Sequence, residues 1–192
     1  KKIPIAFVQM GSSAEYGNVK SPQKESAKCN PKSVYGQAKL LSSIYLIELF
    51  KKQKFPSTVL RLYNTYGSRQ DLNRFIPIVI SGCTKNKKFP CSKGNQIRDF
   101  LHIDDVVDAI LKSLTNKNAR GQIINIGSGK PRKIRNIIEY VKKITNGGYP
   151  QFGKIKLRKD EILTLYPNIQ KAKKKINWKP KILFEKGLKS TI

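Results

Sequence analysis

Between Ser33 and Phe50 the chain carries SVYGQAKLLSSIYLIELF, and no other stretch limits the fold as strongly. At helical spacing, Val34, Ala38, Leu41, Tyr45 and Leu49 form one apolar stripe, while Leu40, Ile44 and Ile47 form another. A helix apolar on two sides has to be covered twice, which calls for a sheet on one side and a helical partner on the other. Lys51, Lys52 and Lys54 follow, where cations suit the C-terminal end of the helix dipole.

The flanking segments alternate between extended and helical patterns. Ile3–Met10 reads as a buried strand, and Gly11–Gly17 (GSSAEYG) as the turn at its C-terminal end. A polar loop with Pro22 and Pro31 leads into the helix. Ser57–Leu62 is a second strand, Phe75–Cys83 a short helix, and Phe89–Cys91 and Asp99–Ile103 short extended pieces. Asp104 is expected to cap an amphipathic helix with Val107, Ile110, Leu111 and Leu114 on its apolar face. Gln122–Ile126 is a further strand, followed by a helix marked by Ile134, Ile137, Ile138, Val141 and Ile144 that Gly147–Gly148 would end. The tail is expected to add a strand at Lys154–Leu157 and a lysine-rich helix at Asn168–Ile176. Strands alternating with helices define an α/β class.

Cys29, Cys83 and Cys91 are odd in number and form no CxxC pair, which indicates neither a disulfide framework nor a metal site. KKIPIAFVQM is too short and too strand-like for a signal peptide, and no apolar run approaches a membrane span. A reducing, cytoplasmic setting is expected. The net charge of +27 raises the question of nucleic acid. Lysines outnumber arginines 31 to 8 and are spread along the whole chain, whereas base and phosphate forks favour clustered arginine. Nucleic-acid binding is therefore not the expected function, although a positive field would help collect an anionic substrate.

Tyr35 and Lys39 stand four residues apart, so they share a helix face, and a neighbouring ammonium favours tyrosine ionisation. The pair alone is weak evidence: composition supplies such pairs by chance, and Tyr16–Lys20 is a second, lying across a turn. INIGSGKPRKI also has the look of a strand, glycine turn and helix that cradles a dinucleotide. Its third glycine position is Arg132, however, and no Asp or Glu lies about 20 residues beyond Gly129 to hold a ribose.

Taken together, GSSAEYG (Gly11–Gly17), SVYGQAK (Ser33–Lys39), RLYNTYG (Arg61–Gly67), RDFLHIDDVVDAI (Arg98–Ile110), NIGSG (Asn125–Gly129) and NWKP (Asn177–Pro180) resemble the NAD-dependent epimerase/dehydratase family of extended short-chain dehydrogenase/reductases. The resemblance implies a partial Rossmann-type parallel sheet at residues 1–67 and a mainly nucleotide-sugar-binding α/β region at residues 68–192. It implies that the family's opening strands and GxxGxxG loop have no counterpart in this chain, and that the chain is a C-terminal part with doubtful activity alone. Family roles carry over to Ser12 as hydrogen-bond partner of the reacting sugar oxygen, Tyr35 as proton donor and acceptor, and Lys39 as holder of the nicotinamide ribose of NAD or NADP. Asn64 matches a contact to the sugar diphosphate, and Arg98 and Arg158 match arginines that clamp its phosphates. His102 is expected to be structural. Family dehydratases carry an Asp-Glu pair after the catalytic hydroxyl; here Ser13 and Ala14 stand there, which disfavours 4,6-dehydration. The implied function is nucleotide-diphosphate-sugar epimerisation or keto-sugar reduction toward surface-polysaccharide deoxysugars, with a homodimer in the full-length form. A non-catalytic module that binds a nucleotide sugar or a partner subunit is the alternative.

Overall fold

The structure, a computed structural model, describes residues 5–158 and 161–192. The elements are β1 (Phe7–Ser12), α1 (Val34–Gln53), β2 (Ser57–Leu62), β3 (Asn64–Tyr66), α2 (Phe75–Thr84), β4 (Lys88–Cys91), β5 (Ile97–Arg98), β6 (Phe100–His102), α3 (Ile103–Thr115), β7 (Gln122–Ile126), β8 (Arg132–Lys133), α4 (Ile134–Thr145), β9 (Tyr149–Phe152), β10 (Thr164–Leu165), α5 (Gln170–Ile176) and α6 (Phe184–Thr191). The expected α/β class is the observed one.

The first layer is a parallel sheet in the order β1-β2-β7. Strand alternation sends Leu60, Leu62, Ile124 and Ile126 to one face, where they meet Val106 and Ala109 of α3, Ala172 and Ile176 of α5, and Trp178. The opposite face receives α1, whose Leu46 carbonyl accepts the Ser57 hydroxyl. The second cluster packs α2, α4 and α6 around β4, β6 and the parallel pair β4–β9, with Ile76, Phe89, Phe100, Ile137, Ile138, Val141 and Leu188 buried. Two further small sheets are β3–β6 and β10-β5-β8. β7 and α3 lie beyond residue 67 in the chain yet complete the first layer.

Several expectations are corrected by tertiary packing. The first strand runs Phe7–Ser12 rather than Ile3–Met10; Ile3 and Pro4 lie outside the described residues. It is an edge strand, not a buried one, because its outer side has no partner among the described residues, and Phe7 is exposed. In α1 the buried seam is Gly36, Ser43 and Leu46, between the two expected stripes, while Leu41 is 67% exposed. A Cβ at residue 36 would stand 2.6 Å from the Ala14 carbonyl oxygen, so glycine lets the helix approach the turn after β1. α3 shows the same inversion: Asp105, Val106, Ala109 and Ser113 are buried, and Val107, Leu111 and Leu114 face outward. Its cap is the His102 side chain, which accepts the Asp104 N–H, rather than Asp104. Asp105 is buried and accepts the backbone N–H groups of Lys181 and Ile182 at 2.9 and 3.0 Å. Asn146, in the left-handed region, ends α4 one residue before the glycines. The tail strand forms at Tyr149–Phe152, paired with β4, and Lys154–Leu157 is not a strand.

Candidate active site

The C-terminal ends of β1 and β2 bring the sequence-predicted residues together. Ser12 is the last residue of β1, level with Leu62 at the end of β2. Its side chain caps the short turn Ser13–Glu15 by accepting the Ala14 N–H at 3.1 Å. Tyr35 stands in the first turn of α1, 58% exposed, with Ser33 capping the helix through the Gly36 N–H. The Lys39 ammonium donates to the Met10 carbonyl at 2.8 Å and lies 5.8 Å from the Tyr35 ring centre. It thereby ties the helix to β1 beside the phenol.

Ser12, Ser13 and Tyr35 line a cavity of about 680 Å³ together with Tyr63, Gln70 and Arg74. A second cavity of about 480 Å³ holds Arg98, Arg158, Lys156, Glu161 and Gln96 over an apolar floor that includes Phe89 and Val79. Asn64, Phe75 and Phe100 line both, so the two cavities meet there. The six residues singled out in the sequence thus surround one region: Ser12, Tyr35 and Asn64 line the first cavity, Asn64, Arg98 and Arg158 line the second, and Lys39 stands behind Tyr35.

Two tyrosines, Tyr35 and Tyr63, line the first cavity, and their surroundings separate them. Tyr63 is buried and donates to Gln23 Oε1 at 2.6 Å, and burial pushes its pKa up, so it stays neutral and engaged. Tyr35 is the phenol left open to the cavity. Tyr16, the tyrosine of the competing Tyr-Lys pair, is buried with its hydroxyl on Asn125 Oδ1 at 2.7 Å, and burial pushes it up to about 12.

At the other end Arg98 donates to the carbonyls of Ile97 and Leu163 and forms an ion pair with Glu161. Burial holds the Arg98 guanidinium below its usual value, and Glu161 offsets part of that. Asn64 Nδ2 donates to the Asp99 carbonyl at 3.0 Å, which fixes the amide between the cavities. His102 is structural: its ring caps α3 and stacks edge-on against Tyr66.

The glycine loop after β7 is explained by Asp99. Its buried carboxylate accepts the Ser128 N–H at 2.6 Å and the Ser128 hydroxyl at 2.9 Å, and the Lys130 N–H donates to Ser128 Oγ at 3.0 Å. Burial raises the Asp99 pKa, and the Ser128 donors pull it back. The loop is an anion cradle filled by the protein's own carboxylate, so it offers no seat for a dinucleotide pyrophosphate. Among the described residues, no three His, Cys, Asp or Glu are grouped to hold a metal, and no helix is long and apolar enough to cross a membrane.

Sequence reasoning missed Gln70, Arg74, Gln96, Lys156 and Glu161, which all line the cavities. Arg74 had a readable signal, since it precedes Phe75-Ile76-Pro77, a helix start with proline in the first turn. Glu161 had none: β10 beside β5 brings the segment around it over Arg98.

A parallel sheet with helices on both faces, and a Ser-Tyr-Lys set at the carboxyl ends of its strands, defines a Rossmann-type short-chain dehydrogenase/reductase arrangement. The sequence model of the NAD dependent epimerase/dehydratase family matches residues 1–127, and the chain belongs to that family. CDP-abequose synthase of Salmonella muenchen is 31% identical over 165 residues, covering 82% of this chain and 56% of its own. UDP-glucose 4-epimerase of Thermotoga maritima, solved with UDP-glucose, superposes with a TM-score of 0.90 at 29% identity, over 97% of this chain and 62% of its own. UDP-glucuronic acid 4-epimerase of Bacillus cereus, solved with UDP-glucuronic acid and NAD, gives 0.89 at 27% identity, over 97% and 60%. The chain spans little more than half the length of these relatives.

Proposed function

We propose that this chain is the substrate-binding and proton-handling portion of a nucleotide-diphosphate-sugar epimerase or keto-sugar reductase. The observation that carries the reading is the pair of joined cavities, with Ser12 and Tyr35 at one end and Arg98 and Arg158 at the other. A sugar diphosphate needs this polarity: a proton donor at the sugar carbon and guanidinium groups on the phosphates, with Asn64 at the junction. Ser12 hydrogen-bonds the reacting oxygen, and Tyr35 gives or takes its proton.

The residues present fit one end of NAD or NADP, with Tyr35 and Lys39 placed to hold the nicotinamide ribose. The strand-loop-helix turn after β7 does not supply the pyrophosphate seat, because Asp99 fills it. When bound, the cofactor supplies and recovers hydride. Ser13 lines the catalytic cavity and the Ala14 carbonyl packs under Gly36, so neither position offers the acid or base that water elimination requires. Epimerisation and ketone reduction remain, and the likeness to CDP-abequose synthase supports a role in deoxysugars of surface polysaccharides. Residues 5–67, with 103–126 and the α5–Trp178 segment packed on the same sheet, make the cofactor side, and the rest of the described residues mainly the nucleotide-sugar side. The three free thiols suit a cytoplasmic setting.

Titration calorimetry with UDP-glucose, CDP-glucose and dTDP-glucose tests the reading. One of them is expected to bind saturably, and Arg98→Met to weaken it about 10- to 100-fold, the worth of charged hydrogen bonds to phosphate. Binding indifferent to Arg98→Met would remove the diphosphate assignment.

We further propose that the outward stripe of α1 pairs two copies of the protein. Leu41 and Tyr45 are exposed there, and an apolar helix face is costly to leave in water. Leu41→Glu is expected to convert a dimer to a monomer in sedimentation velocity. An unchanged sedimentation coefficient would count against the pairing.

A further inference from the structure

Directly beneath Ser12 lies a buried ion pair that the proposed chemistry does not use. Glu15 is fully buried, and one of its carboxylate oxygens, Oε2, accepts the Arg61 Nε–H at 2.8 Å. The other, Oε1, accepts the backbone N–H of Ser12 at 2.9 Å. Arg61 reaches this point from β2, level with Gly11, and its guanidinium stacks 4.5 Å over the Tyr16 ring. Residue 11 must be glycine for the arrangement to exist, since a Cβ there would stand 2.7 Å from Glu15 Oε1. A surface turn after a strand needs no such support. Burying two opposite charges costs several kcal/mol in desolvation before any return, so the pair is a poor device for stability alone.

We infer that Glu15 and Arg61 are positioning residues that fix Ser12 as a hydrogen-bond donor to the reacting sugar oxygen. The inference rests on the proposed role of Ser12 and adds the groups that act through it. Glu15 and Ser12 form a reciprocal box: Glu15 holds the Ser12 N–H, while Ser12 Oγ accepts the Ala14 N–H. A serine hydroxyl has one proton and two lone pairs. With a lone pair engaged by the Ala14 N–H, the hydroxyl proton is free to point into the cavity that Ser12 lines. The hydroxyl therefore arrives with its donor side toward the ligand, and the carboxylate–guanidinium pair keeps the turn from rotating it away. A donor preset in this way favours an oxygen gaining negative charge, as in a ketone polarised for hydride addition, and leaves proton exchange to Tyr35.

Amide hydrogen exchange read by NMR tests the device without any ligand. In the parent protein the Ser12 N–H is expected to be protected although it closes an edge strand; rapid exchange there would overturn the inference. Removing one charge strands the other in the core, so Glu15→Leu/Arg61→Met, which replaces both by apolar groups of similar size, is the variant of choice. It is expected to stay folded and to speed Ser12 N–H exchange about tenfold, roughly the value of one buried hydrogen bond, with Leu60 unchanged. Equal acceleration at Leu60 would show a structural support and no more. A second readout compares UDP with UDP-glucose by calorimetry. Loss of the affinity that glucose adds, with UDP affinity intact, supports positioning through Ser12, and an equal loss for both ligands opposes it. If glucose adds no affinity even in the parent, the sugar-binding role of Ser12 fails, while the exchange data still decide whether Glu15 and Arg61 hold the turn.

Discussion

Tyr35→Phe is expected to lower turnover of the nucleotide sugar by about 10²- to 10⁴-fold, the range contributed by a positioned general acid–base group. The measurement is made on the protein joined to a dinucleotide-binding segment, with nucleotide-sugar affinity followed in parallel. The phenol oxygen is the only atom removed, and Tyr35 is partly open to solvent with its ring against no core cluster, so folding should be indifferent to the change. Affinity should hold as well, because the phosphate grip proposed for Arg98 and Arg158 is in the other cavity. Tyr63 cannot take over the proton: it is buried and bound to Gln23. Wild-type turnover in Tyr35→Phe would remove the acid–base assignment.

Trp178→Ala is expected to lower stability by about 3–5 kcal/mol in urea unfolding followed by circular dichroism, since the only tryptophan is the residue removed. That is a large part of the roughly 5–15 kcal/mol a domain of this kind has. Trp178 is buried among Leu60, Val106, Ile124 and Ile176, and its indole N–H donates to the Asp105 carbonyl at 3.1 Å. Asp105 in turn receives the Lys181 and Ile182 N–H groups, so the indole and the carboxylate together fasten the tail to α3. Trp178→Phe should cost less than half as much, because it keeps most of the apolar contact and loses the hydrogen bond. A loss below about 1 kcal/mol for Trp178→Ala would mean that the tail is held by other contacts.

Asp105 shows how local reading falls short. At the start of an amphipathic pattern an aspartate reads as first-turn charge, and its distant partners, Lys181 and Ile182, leave no mark in the local sequence. Glu161 on Arg98 and Glu15 on Arg61 are of the same kind, because each partner arrives from a strand or tail far along the chain. Helix faces misled for a related reason. Apolar spacing in α1 and α3 says that a stripe exists, but which side meets the sheet depends on close approach, and Gly36, Ser43 and Ala109 allow that approach better than Leu41 or Leu111.

Elements with strong local periodicity were legible in advance. β2 and β7 stand at Ser57–Leu62 and Gln122–Ile126 as their apolar runs require, and α4 buries the Ile134, Ile137, Ile138 and Val141 face. The sequence by itself determined the alternating α/β order, the family, and the residue types that could act: a serine at a strand end, a tyrosine and a lysine one turn apart, and arginines downstream. Only the tertiary structure decided which of these meet. Joining the cavities at Asn64 took the parallel pairing of β3 with β6, and filling the glycine loop took Asp99 from the link between β5 and β6. Contacts of this kind are set by strand pairing and by the fit of buried carboxylates to N–H groups, neither of which has a period that a linear sequence displays.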